Sequence, residues 1–428
     1  MTIIAILADD LTGACDAAAP FARRGLATEV MLDAAVLPNA GAMPDVLALD
    51  VDTRRLGSKL AATRTGRTVR ALRGRGVALL YKKIDSTLRG HVGVEIAATL
   101  RAWDAPLAII CSAFPAVGRW VQHGHLFVNG RGDLGAVALL AGLGDAPGEG
   151  EISAPAKPPP FLLDGDVVGR GTDAVLAALE DARRRRARVV IADAHTPAHL
   201  TTLAEASARL TPAALLVGSA GLATALAEIR AASGGASAST DGAADAAGRG
   251  RAESGALMPW LVLCGSQTDV SDDQVVELAR AGAEVIELDV DALLSRRRAA
   301  EAAGARAARL LGAGHTPVLR LVVSPDSEGV RSRGARLDGR AARALDRACR
   351  AAIDGAQPAG LFVTGGLTAR ACLLALGATS LRLEREPLPG VAAGRARGGI
   401  WDGRPVVTKS GGFGAPDTIK RLVRPRQA

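Results

Sequence analysis

The chain has 428 residues, of which 48% are hydrophobic and 22% charged, so its composition excludes a disordered or fibrous protein. The net charge of +8 comes from arginine scattered along predicted helices, and only 3% of residues are aromatic, which argues against nucleic-acid binding. A chain of this length exceeds one ordinary hydrophobic core, so we expect two domains.

Cysteine usage and hydropathy indicate a compartment. The five cysteines lie far apart and form no CxxC pair, which is typical of a reducing environment rather than of a disulfide framework or a zinc site. No run of about 18 uncharged apolar residues predicts a membrane span, and no basic leader precedes the first predicted strand. We therefore expect a cytoplasmic protein without membrane or nucleic-acid partners.

The first predicted strand, Ile3–Ala8, leads directly into Asp9 and Asp10. A short aliphatic run bounded by polar residues is typical of a buried parallel strand, and open α/β sheets bind ligands at the carboxyl ends of such strands. Capping of the next helix by Asp10 or Thr12 is the alternative interpretation. One cap needs only one side chain, so the second carboxylate is available for chemistry.

The next two predicted strands also end in charged residues. Val46–Asp50 leads to Asp52 and Arg54, and Val77–Lys82 leads to Lys83–Gly90, which contains an acid, two hydroxyls and an arginine. If the strands are parallel, their ends meet at one edge of the sheet, where the cations would hold a carboxylate or phosphate. A solvated turn that caps the next helix is the alternative. The cluster favours an anion-binding cleft.

Further strands complete the N-terminal half. Leu107–Cys111, Val189–Asp193 and Leu215–Val217 alternate with helical stretches, which predicts a mostly parallel sheet flanked by helices. His123 and His125 follow the first of these strands, but they do not share a helix face and have no third ligand at a fitting spacing. We therefore predict no metal site.

Residues 231–257 are rich in glycine, alanine and serine and are predicted to form a flexible linker. The expected domains are accordingly 1–230 and 258–428. Strand and helix patterns alternate again in the second domain, so both domains are expected to be α/β, each with a mostly parallel sheet flanked by helices. The predicted C-terminal strands are Leu261–Cys264, Glu284–Leu288, Val318–Val323, Leu361–Thr364 and Val406–Thr408.

Three glycine-rich turns follow strands of the C-terminal half. They are Gly265–Thr268, Gly365–Thr368 and Lys409–Gly414. Such turns bring backbone N–H groups close to phosphate oxygens, although glycine often serves a strand-to-helix turn for steric reasons alone. None matches the P-loop or the dinucleotide fingerprint. Three turns in one domain favour nucleotide binding.

Eight segments together resemble the four-carbon acid sugar kinases, which phosphorylate compounds such as threonate, erythronate and 3-oxo-tetronates. The segments are ADDLTGACD (Ala8–Asp16), KKIDSTLRG (Lys82–Gly90), AFPAVGR (Ala113–Arg119), HLFVNG (His125–Gly130), VGSAGLA (Val217–Ala223), CGSQT (Cys264–Thr268), GGLTAR (Gly365–Arg370) and KSGGFGAPD (Lys409–Asp417). The resemblance implies an enzyme whose N-terminal domain binds a sugar acid and whose C-terminal domain binds ATP with Mg²⁺.

The resemblance also implies site residues, position by position. Substrate contacts are expected at Asp9, Asp10, Lys83, Asp85, Ser86 and Arg89, to which we add Arg54 from its strand end. ATP contacts are expected at Ser266, Gly365, Gly366, Thr368 and Gly411, to which we add Leu367 from the same turn. The expected reaction is ATP-dependent phosphorylation of the terminal hydroxyl. Asp10 or Asp85 would accept the hydroxyl proton, while Lys83 and Arg89 hold the substrate carboxylate.

The sequence departs from the family pattern at three places. Leu367 stands where an acid is usual, Gly412 replaces an asparagine, and Arg131–Gly150 replaces a polar, acid-containing segment that ends in proline. The alternative function is therefore a non-catalytic relative that binds a sugar acid or a nucleotide. An aldolase-like or dehydrogenase-like enzyme is disfavoured, because the chain has no dinucleotide fingerprint or metal cluster. We expect the two pockets to face each other across a closable gap, and a homodimer is a possible assembly.

Overall fold

A computed structural model of the chain describes residues 3–135, 159–233, 259–295, 298–322 and 339–423. Contacts divide the chain into two compact units, residues 1–234 with 382–389 and residues 235–381 with 390–428. Apart from residues 231–233, which end a helix, the predicted linker 231–257 lies outside the described residues. The limits 1–230 and 258–428 stay a prediction.

The N-terminal unit alternates strands with helices. Its first eleven strands are β1 (Ile3–Ala8), β2 (Thr28–Met31), β3 (Val46–Asp50), β4 (Val77–Lys83), β5 (Ala108–Cys111), β6 (Arg119–Gln122), β7 (His125–Val128), β8 (Arg131–Gly135), β9 (Phe161–Leu163), β10 (Val189–Ala192) and β11 (Leu215–Gly218). Its helices are α1 (Leu11–Ala22), α2 (Ser58–Arg73), α3 (Val92–Trp103), α4 (Gly165–Gly169), α5 (Thr172–Arg184), α6 (Pro197–Arg209) and α7 (Ala220–Ser233).

The main sheet of this unit has the order β2-β3-β1-β4-β11-β5-β10-β9, and every one of these pairings is parallel. The aliphatic runs are buried because helices cover both faces of such a sheet. Strand β1 lies between β3 and β4, with Ala8 paired to Asp50 and Leu7 paired to Lys82. The charged residues that follow these three strands are thereby brought to one edge of the sheet.

The prediction of a parallel α/β unit is confirmed, but several strands escaped it. β2 and β9 are short strands of the main sheet, and β6, β7 and β8 form a separate antiparallel sheet. On that small sheet the rings of Trp120 and Phe127 stack with their centroids 5.6 Å apart. Cross-strand aromatic pairs of this kind stabilise a short hairpin, and the hairpin carries Arg119 at its start.

The C-terminal unit is also built from alternating strands and helices. The strands are β12 (Leu261–Cys264), β13 (Glu284–Asp289), β14 (Pro317–Val322), β15 (Leu361–Thr364), β16 (Ser380–Leu388), β17 (Val391–Arg397) and β18 (Pro405–Lys409). The helices are α8 (Asp269–Arg280), α9 (Val290–Ser295), α10 (Ala299–Gly312), α11 (Gly339–Gly355), α12 (Gly366–Ala375) and α13 (Thr418–Val423).

Its sheet has the order β13-β14-β12-β15-β18-β17, parallel except for the antiparallel pairing of β17 with β18. β12, β15 and β18 are neighbours, so the three glycine-rich turns that follow them lie side by side. Most of β16 belongs instead to the N-terminal unit, where it pairs with β2. Among the described residues, no helix is both long enough and apolar enough to cross a bilayer.

Candidate active site

Arg54 joins the carboxyl ends of β1 and β3. Its Nε and Nη2 donate to the two carboxylate oxygens of Asp9 at 2.7 and 2.9 Å, and its Nη1 donates to Asp10 Oδ2 at 2.6 Å. Two-pronged pairing of this kind is strong and fixes both side chains. Burial acts to raise the pKa of Asp9, but the charge and hydrogen bonds of Arg54 outweigh it and lower that pKa. Asp9 is therefore held as an anion.

Asp10 both caps a helix and pairs with a cation. Its Oδ1 accepts the backbone N–H of Gly13 at 2.8 Å, as an N-cap does, and its Oδ2 accepts the hydroxyl of Thr12 at 3.1 Å. The same Oδ2 receives Arg54. The capping interpretation and the charged-site interpretation of Asp9-Asp10 thus both hold for Asp10.

The Asp85 carboxylate accepts hydrogen bonds from residues of its own turn. Oδ1 accepts the Thr87 N–H at 2.9 Å, the Thr87 hydroxyl at 2.6 Å and Arg89 Nε at 3.2 Å, while Oδ2 accepts Arg89 Nη2 at 2.7 Å. Arg54 Nη2 lies 3.4 Å from the same Oδ2. Burial raises the pKa of Asp85, but Arg54, Arg89 and Thr87 lower it far below its usual range. A carboxylate held ionised so firmly is a weak proton acceptor.

Ser86 and Arg119 extend the cluster. Arg119 Nη1 donates to Ser86 Oγ, and burial lowers the pKa of Arg119 while Asp85 raises it. Sequence reasoning did not place Arg119 in the site, although the residue ends the AFPAVGR segment. Membership of that segment is the signal that could have found it.

Two neighbouring lysines of β4 point to opposite faces of the sheet, as successive strand residues must. Lys82 Nζ lies 2.7 Å from Glu95 Oε2 of α3. Lys83 Nζ donates to the Ile84 carbonyl at 3.1 Å and lies 3.9 Å from Asp16 Oδ2 of α1. Only Lys83 therefore shares the α1 side of β4 with Asp16, a buried carboxylate that the sequence reasoning missed.

Gly90 allows the loop after β4 to approach Asp9 closely. Its φ of +92° lies in the left-handed region, and a Cβ there would stand 2.8 Å from Asp9 Oδ2. The glycine that ends the KKIDSTLRG segment thus lets the Asp85 turn lie against the Asp9–Arg54 pair. The seven predicted substrate residues are all at this edge of the N-terminal sheet.

A second cluster lies at the other end of the same sheet. His123, Asp164 and Asp193 offer ligand atoms within 4.8 Å of one another. Both Asp193 oxygens accept backbone N–H groups of the β6–β7 turn, from His123 at 2.7 Å and Gly124 at 2.9 Å. Asp193 therefore anchors that turn, and the absence of a metal site stays a prediction.

In the C-terminal unit, the ends of β12, β15 and β18 are tied together by backbone hydrogen bonds. Gly365 N–H donates to the Lys409 carbonyl at 3.1 Å, and Gly265 N–H donates to the Thr364 carbonyl at 3.3 Å. A Cβ at Gly411 would overlap Ser266 Oγ, and a Cβ at Gly265 would overlap Thr368 Oγ1. The predicted nucleotide residues are thus neighbours, and two of the glycines are required by close packing.

Lys409 organises the last of these turns. Its buried Nζ donates to the carbonyls of Ser410 (2.7 Å), Gly411 (3.3 Å) and Phe413 (2.8 Å). Because the peptide unit is planar and trans, each inward carbonyl turns the following N–H to the opposite side. The N–H groups of Gly411, Gly412 and Gly414 consequently point away from Lys409. A row of such amides is a typical cradle for phosphate oxygens.

α12 begins one residue after Gly365, whose φ of +99° requires glycine. The first-turn N–H groups and the positive end of this ten-residue helix favour an anion. Leu367 is half-buried in that first turn, whereas the Thr368 side chain is buried against Gly265. Here the backbone, more than the side chains, is suited to phosphate.

Comparisons with known proteins cover nearly the whole chain. The model of a sugar-binding N-terminal domain matches residues 4–139 and 152–226, and that of a nucleotide-binding C-terminal domain matches residues 261–419. A D-threonate kinase of Bordetella bronchiseptica is 35% identical over 98% of this chain and 96% of its own. A D-threonate kinase of Cupriavidus necator is 36% identical (96% and 94%), and a 3-oxo-tetronate kinase of the same organism is 31% identical (99% and 96%).

Two solved structures share the fold. A Salmonella typhimurium LT2 protein superposes with a TM-score of 0.75 at 22% identity and covers 99% of each chain. A Haemophilus influenzae protein superposes with a TM-score of 0.66 at 21% identity, covering 97% of this chain and 98% of its own. At these identities the likeness concerns the fold alone.

Proposed function

This chain belongs to the family of four-carbon acid sugar kinases, and we propose on that premise that it phosphorylates the terminal hydroxyl of a sugar acid with ATP. Threonate, erythronate and 3-oxo-tetronate are the proposed substrate types. The observation that carries the proposal is the edge of the N-terminal sheet where Arg54, Arg89, Lys83 and Arg119 lie among buried carboxylates. Cations and acids in one cleft suit a small ligand that carries both a carboxylate and hydroxyls.

The proposed substrate residues are those of this edge, namely Asp9, Asp10, Arg54, Lys83, Asp85, Ser86 and Arg89. Ionised aspartates accept hydrogen bonds from sugar hydroxyls, and lysine and arginine donate to the acid group. The contacts of Asp10 and Asp85 favour orienting roles over proton removal. Each of these carboxylates already accepts from an arginine on at least one oxygen.

The proposed nucleotide residues are Ser266, Gly365, Gly366, Leu367, Thr368 and Gly411. The outward amides of the Lys409–Gly414 turn and the start of α12 support phosphate binding there. The described residues of the three turns offer hydroxyl and carbonyl oxygens but no carboxylate. Mg²⁺ would therefore be held chiefly by the phosphates of ATP and by water, neutralising phosphate charge.

A substrate panel tests the proposal. Purified protein is incubated with ATP, Mg²⁺ and each four-carbon acid, and ADP release is followed by a coupled assay. Phosphorus NMR then locates the phosphate, because coupling to two protons marks a primary carbon and coupling to one proton marks a secondary carbon. We expect turnover of at least one acid, with the phosphate on the terminal carbon. ATP binding without phosphorylation of any acid would support the non-catalytic alternative, which the kinase relatives do not favour.

The remaining sequence predictions accompany this proposal. A cytoplasmic location, a homodimer and the lack of a nucleic-acid partner stay predictions. The closing of the two pockets on each other during turnover also stays a prediction, and it follows from the need to exclude water from phosphoryl transfer.

A further inference from the structure

Asp16 is a buried carboxylate whose hydrogen bonds are incomplete. It lies in the second turn of α1, and its side chain is 8% exposed. Within the part of the chain that the structure describes, Oδ1 accepts no hydrogen bond, and Oδ2 lies 3.9 Å from Lys83 Nζ, beyond hydrogen-bond distance. A buried acceptor left unsatisfied costs free energy, so it calls for a specific explanation.

Asp16 adjoins the candidate active site. Gly13 and Asp16 are three residues apart and share one face of α1, and Lys83 Nζ lies 3.3 Å from the position of a Cβ on Gly13. The charged groups that face Asp16 come from four elements. They are Lys83 of β4, Glu386 of β16, Arg119 of β6 and Asp10 at the start of α1. A hydroxyl bound beside Lys83 Nζ would therefore lie close to the Asp16 carboxylate, whose Oδ2 is 3.9 Å from that nitrogen.

The sheet contains a second buried lysine–carboxylate pair, Lys82 and Glu95, whose charged atoms are in direct contact. Lys82 Nζ and Glu95 Oε2 are 2.7 Å apart, and both side chains are almost fully buried on the α3 side. Glu95 Oε1 also accepts no hydrogen bond among the described residues, but the other oxygen, Oε2, forms a direct ion pair with Lys82. Lys83 Nζ and Asp16 Oδ2 are 3.9 Å apart, so these two groups are not joined by a direct hydrogen bond.

Asp16 also differs chemically from the other carboxylates of the site. Burial, together with Glu386 and Asp10, raises the pKa of Asp16 to about 7 against the opposing effect of Lys83 and Arg119. The pKa of Asp9 and that of Asp85 are lowered instead, because each is paired directly with an arginine. A general base works best when its pKa lies near the working pH.

We propose that Asp16 accepts the proton of the substrate hydroxyl and that Lys83 orients the same hydroxyl, an inference that rests on the proposed kinase function. As the hydroxyl oxygen forms a bond to the γ-phosphorus of ATP, the bond between that phosphorus and the β,γ-bridging oxygen breaks. ADP leaves with the electron pair of that bond. The hydroxyl proton passes to the Asp16 carboxylate and is released to water after the product leaves.

The test is the pH profile of Asp16→Asn with a four-carbon acid that the wild-type protein phosphorylates. Asp16 must be ionised to act, so wild-type kcat should fall as the pH drops below about 7. We expect the variant to lose about 10²- to 10⁴-fold in kcat, the usual contribution of a general base. Its KM for the acid should change little, and the acidic limb of its profile should disappear.

Glu95→Gln is the matched control, since it neutralises the other buried lysine–carboxylate pair. It should lower thermal stability while the acidic limb of kcat remains. If Asp16 only held Lys83 in place, Asp16→Asn would raise KM and keep the acidic limb with kcat within about tenfold of wild type, less than a base contributes. That result would overturn the inference.

Two further measurements keep the outcomes separate. If Asp16→Asn does not fold, Asp16→Glu replaces it, and an unchanged kcat with an unshifted acidic limb in that variant would overturn the inference. If the wild-type protein phosphorylates no four-carbon acid, the proposed function itself fails. If the wild-type protein is active and Asp16→Asn keeps the acidic limb of the kcat profile, only the role of Asp16 is refuted.

Discussion

Replacing Arg54 with methionine should destabilise the protein in a pH-dependent manner. The guanidinium is the common counter-ion of three carboxylates, with contacts of 2.7 Å to Asp9, 2.6 Å to Asp10 and 3.4 Å to Asp85. Methionine fills a similar volume but leaves these acids facing one another without a shared cation. The variant therefore separates the charge of Arg54 from its packing.

The magnitude follows from burial. Asp9 and Asp85 are 4% and 6% exposed, and removing one partner of a buried ion pair typically costs about 3–5 kcal/mol. In the wild type the lowered pKa values of both acids contribute stability above the unfolded pKa, and this contribution is lost only as the pH falls below it. Without Arg54, burial raises the pKa of Asp9 above the unfolded value, whereas Arg89 and Thr87 still lower that of Asp85. The folded variant therefore binds more protons at Asp9 than the unfolded chain does. The loss should therefore be about 3–5 kcal/mol at pH 7.5 and smaller at pH 5.

Urea denaturation followed by circular dichroism at both pH values measures the loss. Arg209→Met is the control, because Arg209 lies the same 2.7 Å from Asp173 but the two side chains are 56% and 93% exposed. Exposed pairs contribute about 0–1 kcal/mol, so the control should change little at either pH. Equal losses in Arg54→Met at pH 7.5 and pH 5, or a loss no larger than in the control, would refute the reasoning.

Two further predictions concern the turn Lys409–Gly414. Gly411→Ala should raise the KM for ATP at least about fivefold without changing the KM for the acid. The new Cβ would overlap Ser266 Oγ and stand 2.7 Å from Ser266 Cβ, and overpacking of this kind costs about 1–3 kcal/mol. Gly312→Ala, at the end of α10 and with no atom within 4 Å of its Cβ, is the control, and equal KM values in the two variants would contradict the packing argument. In Lys409→Met we expect the stability difference from the wild type to depend on pH, since burial lowers the pKa of Lys409 from 10.5 to about 8. Between pH 8 and pH 10.5 the unfolded wild-type chain binds more protons than the folded one. The free energy of unfolding of the wild type therefore rises with pH by up to about 1.4 kcal/mol per pH unit, and the variant lacks this rise. Denaturation of both proteins at pH 7.5 and pH 10 measures this, and a difference that stays constant would count against it.

The sequence was sufficient to predict which charged residues lie together, because their positions follow from local rules. A short aliphatic strand followed by charged residues places those residues at the edge of a parallel sheet, and Asp9, Arg54 and Asp85 do meet there. The eleven predicted strands all exist, with ends shifted by one residue at most. The glycine turns of the second unit are also neighbours, as expected from strands of one sheet.

The missed features depend on contacts between distant parts of the chain. β16 carries the alternating charged segment Ser380–Leu388, yet it pairs with β2 in the N-terminal unit, and no local pattern encodes such a partner. Arg119 reaches Ser86 through a hairpin whose strands are only four residues long. Asp16 ends the ADDLTGACD segment, as Arg119 ends AFPAVGR, but the charges of Lys83 and Glu386 that act on it come from distant parts of the chain.

The buried acids near this sheet edge differ in pKa because their partners differ. Asp9 and Asp85 are ionised because an arginine accompanies each, and acids in that state can orient cations and hydroxyls but take up protons poorly. Asp16 adjoins the same sheet edge, but burial and the charge of Glu386 raise its pKa, and Lys83, at 3.9 Å, does not offset them. Environments that push the pKa values of neighbouring acids apart are how a site assigns separate roles to chemically identical groups. The lack of a directly bonded cation is therefore what sets Asp16 apart from Asp9 and Asp85, the two buried acids whose pKa values are lowered.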